Sequence, residues 1–139
     1  MRKLLFFLIV LSIQPVVHAQ HFGVEHPIDS IYIACINGED QSTHGMLQCA
    51  SKAYDAWFSE VNASFLMLLN ISDENEKILL QKAQQDWETF IRSEFDYSNT
   101  MHQNMAGSMY KLFDADIMVQ LVKQRAMQLR LYLDTKQME

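Results

Sequence analysis

Two cysteines, Cys35 and Cys49, carry the most definite chemistry in this sequence of 139 residues. Downstream of an export signal they meet an oxidising compartment, where a thiol pair closes into a disulfide. Bridging a loop of about 15 residues removes about 3 kcal/mol of unfolded-state entropy. Two free buried thiols are the weaker alternative, and no Cys or His stands at a companion spacing for a metal site. A second stretch, Met101-His102-Gln103-Asn104-Met105-Ala106-Gly107-Ser108-Met109-Tyr110, sets three Met at four-residue intervals beside one His. Thioethers and an imidazole can hold Cu(I), but Met at this spacing also fills a packed helix face or gives an adaptable surface for a protein partner. Most of the nine Met lie elsewhere, which argues against a metal carrier, and no metal or cofactor is expected.

Catalytic patterns are missing. There is no H-E-x-x-H, no Ser or Cys nucleophile in a recognisable turn with a His base, and no phosphate loop in a chain with four Gly. Seventeen acidic residues are present, yet none is set apart as the carboxylate pair a glycosidase needs. The expectation is a binding protein, not an enzyme.

Residues 1–19 read as a cleavable signal peptide: Arg2 and Lys3, an apolar run from Leu4 to Ile13, and the small-residue pattern Val17-His18-Ala19. Removing Arg2 and Lys3 leaves nine basic against seventeen acidic residues, a balance of about −8. Such a chain repels nucleic acid and anionic lipid and attracts cationic partners. The remaining apolar stretches are interrupted by charge, so no membrane insertion of the mature chain is expected. A periplasmic address follows, with secretion as second choice, and residues 20–139 form one domain.

The elements that position these residues are helical. Met46, Ala50, Ala53, Tyr54, Trp57, Phe58, Val61, Phe65, Leu68 and Leu69 mark one face of a first long helix over about 43–70, with Thr43 as its N-cap. Asp73 and Glu76 make a capping-box restart, and Leu79, Leu80, Ala83, Trp87, Phe90, Ile91 and Phe95 mark a second. The pattern weakens between Asp96 and Asp114, which reads as a loop, before a third helix through Ile117, Met118, Leu121, Val122, Leu129 and Leu133. The predicted fold is all-α: a small up-down-up bundle of about three long helices, with a short N-terminal segment clipped on by the Cys35–Cys49 disulfide.

Thr43-x-x-Met46-x-x-Cys49-Ala50, Val61-Asn62 with Phe65, Ala83-Gln84-x-x-Trp87 with Phe90, Gly107-Ser108 and Gln124-Arg125 with Leu129 stand in an order that resembles the LprI-like lysozyme inhibitor family. The resemblance runs from about Cys35 to Leu133 and implies an exported helical domain held by disulfides, some relatives being named for inhibiting lysozyme. A cationic lysozyme or muramidase is then the implied partner, and a non-inhibitory envelope docking protein the alternative. Relatives usually carry a second cysteine pair, at whose places stand Phe95 and Ile117, so a hydrophobic contact is expected in place of that crosslink. The family's Asp and Arg positions hold Phe58 and Ile91 here.

Partner contacts are expected on the 96–114 segment at Asp96, Tyr97, His102 and Ser108. Four other residues read as structural. Trp57 and Trp87 belong to the core, Asn62 is expected to hydrogen-bond in a buried place, and Arg125 to pair with Glu60 or Glu94.

Overall fold

The computed structural model describes residues 26–138, so the expected signal peptide at residues 1–19 lies outside the described part. Four helices follow one another: α1 Pro27–Ile36, α2 Thr43–Ile71, α3 Glu74–His102 and α4 Met109–Gln137. The all-α expectation holds, and the count is corrected from about three helices to four, because the clipped-on segment is itself helical. Pro27 explains this, since proline is pre-set for the first helical position. The His26 ring Nδ1 accepts a bond from the Ile28 N–H, and Asp29 sits in the positive first turn.

The Cys35–Cys49 disulfide joins α1 to α2, with 5.7 Å between the Cα atoms. The connection between these helices folds back on the first turn of α2. A Cβ on Gly45 would stand 2.4 Å from the Asp40 carbonyl oxygen, so the close approach requires glycine there. The N-cap of α2 is Ser42, not Thr43: the Ser42 hydroxyl accepts from the Gly45 N–H at 3.1 Å. The expected restart is present as a full capping box between Asp73 and Glu76.

The 96–114 segment is not a loop. α3 continues to His102 and α4 begins at Met109, leaving only residues 103–108 as the connection. The apolar period fades there because polar residues face inward: Ser98 is buried and donates to the Asp114 carboxylate across the hairpin.

The core lies between α2 and α4, where Trp57, Val61, Val119, Val122 and Leu129 are all buried. α1 packs on α2 from one side. α3 lies along α4, and Ile91 is its single fully buried apolar residue among those described. Glu76 with Lys136, Trp87 with Arg125, and Ser98 with Asp114 fix one continuous antiparallel register between α3 and α4.

Candidate functional site

The α3–α4 tip is a short loop held from behind. Gly107 has φ +117°, a left-handed conformation that L side chains rarely adopt, and the space a Cβ would fill is open. Glycine is therefore needed for backbone shape and not for clearance. Behind the loop the Asp114 carboxylate on α4 is met by two residues one turn apart at the end of α3: Ser98 Oγ donates to it, and His102 Nδ1 lies 2.6 Å from it. The His102 ring also packs on Tyr110 at 5.2 Å. Ser108 Oγ is 3.0 Å from Thr43 Oγ1, which ties the tip to the start of α2, and Asp40 of the α1–α2 connection lies against the same first turn at Gly45. Hydrogen bonds from Ser42 hold the Asp40 carboxyl below the usual carboxylate range, so it stays ionised. A preformed loop loses little conformational freedom on binding.

Of the four expected contact residues, the fold brings His102 and Ser108 to the tip and leaves Asp96 and Tyr97 further back on α3. His102 is turned inward to Asp114, its side chain only 12 % exposed, so it braces the loop from behind. Ser108 is exposed at the start of α4. Tyr97 is 65 % exposed, and Asp96 lies on the rim of a groove. Exposed Met101, Met105 and Met109 surround the tip, which removes the packed-helix reading of that motif. Among the described residues no cluster of three His, Cys, Asp or Glu could hold a metal ion.

The groove has a volume of about 480 Å³ and opens where α3 stands off from α2. Tyr54, Ile91, Phe95 and Met118 give it an apolar lining, with Arg92 and Asp96 adding charge. Phe95 shares this lining with Met118, whereas Ile117 does not line the groove and is 39 % exposed. The expected Phe95–Ile117 contact is thus corrected by one residue, because Ile117 sits on the far side of α4.

The structural residues divide. Trp57 is 1 % exposed in the core, its indole N–H without a hydrogen-bond partner, under His26 and Lys123. Trp87 is partly buried against the core. Asn62 is exposed, and the buried polar residue of that helix is Ser64, two positions on. Arg125 is buried at 7 % exposure, but its partners are neither Glu60 nor Glu94. Its Nε and Nη2 donate to Gln84 Oε1 at 3.2 and 3.1 Å, Nη1 donates to Gln128 Oε1 at 2.7 Å, and the guanidinium lies 5.9 Å over Trp87. Burial pushes its pKa down from the ordinary value. Sequence reasoning missed Gln84 and Ser98 because a neutral polar residue on an inward face looks like an interruption of the apolar stripe.

The family model described as Lysozyme inhibitor LprI matches residues 35–129. A solved structure of an uncharacterised protein from Burkholderia thailandensis is similar, with a TM-score of 0.73 and 29 % identity over 78 % of this chain and 54 % of that one. The present chain therefore spans about half the length of that protein. No curated protein matches it.

Proposed function

Because this chain belongs to the LprI lysozyme inhibitor family, we propose that it is an exported inhibitor of a cationic lysozyme or related muramidase, with the α3–α4 tip as the part that blocks the enzyme's cleft. The observation that carries this reading is the braced loop at residues 103–108, held by the Ser98–Asp114–His102 cluster and by the Thr43–Ser108 bond. A loop that is already ordered loses little conformational freedom when it seats in a cleft. Asp40 at the first turn of α2, to which the tip is tied, and the net negative charge of the chain supply the field that draws a cationic enzyme. Tyr97 and Ser108 are the contact residues in this reading, and Met101, Met105 and Met109 the apolar surround.

The test is a cell-wall lysis assay with the purified protein against several lysozyme types. Inhibition should be stoichiometric and should weaken with salt, because the charges that steer encounter are exposed. Asn104→Arg with Ser108→Arg places like charge against the enzyme and should reduce inhibition by about tenfold or more, consistent with the cost of juxtaposed like charges. Absence of inhibition at micromolar excess over every lysozyme type sinks the proposal and leaves a non-inhibitory envelope docking protein that uses the exposed Met surface.

A further inference from the structure

α4 is apolar on two opposite sides. Val119, Val122, Ala126, Leu129 and Leu133 are buried in the core on one side. On the other, Phe113, Ile117, Met127 and Leu131 are 51, 39, 49 and 62 % exposed. A helix that is apolar all round is ordinarily covered all round. The outer side has a regular pattern: Phe113, Ile117, Gln120, Gln124, Met127 and Leu131 recur at alternating intervals of four and three, the seam of a two-helix coiled coil. None of the six positions is charged, in a chain with seventeen acidic residues.

We infer that this seam is the interface of a symmetric dimer, in which α4 packs antiparallel on α4 of a second copy of this chain. A second copy is indicated because the seam reads the same in both directions. Its order is apolar, apolar, Gln, Gln, apolar, apolar, and its spacing is symmetric about position 122. With a two-fold axis at that point, Phe113 meets Leu131 of the second copy, Ile117 meets its Met127, and Gln120 meets its Gln124, carboxamide to carboxamide. A two-fold interface requires such self-complementarity. A paired polar residue within an apolar seam fixes register at some cost in affinity, and the two Gln serve that purpose.

Charge favours the same occupant. Two copies of an acidic chain repel one another except through a neutral face, and this is the neutral face. A cationic enzyme, by contrast, would be selected by carboxylates, which the seam lacks. Beside the seam the same register sets Asp116 opposite Arg130 of the second copy. The area is also sufficient. Phe90, 47 % exposed, lines a notch with Gln124 and Gln128 between α3 and α4, and Tyr97 follows seven residues on along the same stripe. With side-chain areas of roughly 150–250 Å², the exposed parts of the six apolar residues come to roughly 500–800 Å² per copy before the exposed Gln120 and Gln124 are added, which approaches the roughly 800 Å² per partner of a standard specific interface.

Sedimentation equilibrium of the purified protein from about 1 to about 100 μM tests the proposal, since a specific interface of this size associates within or below that range. A dimer is expected. Ile117→Asp should raise its dissociation constant by about 100-fold or more, because the carboxylate is left unpaired in a buried seam. The helical circular dichroism should persist, since Ile117 is already partly exposed in the single chain. Orientation is tested by charge: Gln120→Lys and Gln124→Glu should each weaken the dimer about tenfold, and mixing the two variants should restore association, because the new cation of one chain faces the new carboxylate of the other. A monomer throughout the range overturns the proposal. So does a dimer indifferent to Ile117→Asp, or a mixture that associates no better than either variant alone. A monomer whose lysozyme inhibition disappears on Ile117→Asp also overturns it and reassigns the face to the enzyme.

Discussion

α2 and α4 meet through Trp57, Val61, Val122 and Leu129, each 1 % exposed or less, whereas α3 meets α4 mainly through polar ties. Those ties are Glu76 with Lys136 at one end, Gln84 with Arg125 in the middle, and Ser98 with Asp114 at the other. α3 correspondingly leaves Ile78, Leu79, Phe90, Phe95 and Tyr97 exposed. The difference separates two tasks. An apolar core supplies stability without much regard to detail, while hydrogen-bonded ties fix where one helix lies along another. The tip proposed for recognition belongs to the hairpin that α3 forms with α4, so it is positioned by polar geometry and anchored by a core that lies mostly elsewhere.

The sharpest way to break this contrast is to truncate one apolar side chain in each part. Leu129→Ala in the α2–α4 core should cost about 2–5 kcal/mol, from lost transfer energy and the cavity left behind. Leu79→Ala on α3, 70 % exposed, should stay within about 0.5 kcal/mol. Urea denaturation at low protein concentration measures both. Equal losses at the two positions would mean that α3 is covered in solution and that the contrast is false.

The disulfide comes next in size. Cys35→Ser with Cys49→Ser should cost about 3 kcal/mol for a loop of this length. The loss should be local: hydrogen exchange should rise in α1 and in residues 37–42, while amides of the α3–α4 hairpin keep their protection. Lysozyme inhibition by the folded fraction should persist, because the bridge ties α1 to α2 and leaves the hairpin untouched. Loss of inhibition with an intact hairpin would place the contact surface near α1 instead.

Much of this architecture is legible in the sequence, and what is not has a common cause. The α2 stripe, the Asp73–Glu76 capping box and the cysteine pair are read directly, because each is a local signal with one physical meaning. The 96–114 stretch misleads because Ser98, His102 and Asp114 use inward positions for hydrogen bonds, which erases the apolar period without ending the helix. The same effect hides Gln84, and so sends Arg125 to carboxylate partners it does not have. Asn62 fails in the opposite direction: it lies next to buried Val61 and yet faces outward, since one residue on a helix turns the side chain by about 100°.

Gln84→Ala addresses the middle polar tie. Arg125 stays protonated even with its pKa pushed down by burial, so removing Gln84 takes away the acceptor shared by Nε and Nη2 and leaves a buried donor pair unsatisfied. A cost of about 1–3 kcal/mol is expected. Gln84→Glu tests the cause: a carboxylate in the same place should retain the fork and recover most of the loss. If Gln84→Ala proves neutral, Gln128 and the Trp87 ring hold the guanidinium without it, and the register depends on packing more than the contrast allows.

The smallest expected effect is a pH dependence at the end of α3 farthest from the tip. The Glu76 carboxyl is held below its ordinary value, first by the Lys136 ammonium and then by the Asp73 N–H. The unfolded chain therefore takes up this proton at higher pH than the folded one does. Stability from the group is fully present above the ordinary Glu value of about 4.3, and is lost as pH falls through the lower folded value. The Glu76 side chain is 42 % exposed, so the global change is small, and the readout is local: amides in the first turns of α3 should exchange faster as pH falls through that window, after correction for the intrinsic rate. Glu76→Gln should remove most of this pH dependence, because the neutral amide still reaches the Asp73 N–H but gains little from Lys136. The α2–α4 core has no such tie to titrate, and Val122 and Leu129 should keep their protection throughout. If the core loosens in step with the start of α3, the two parts unfold as one unit, and the polar ties carry more of the fold than their exposure implies.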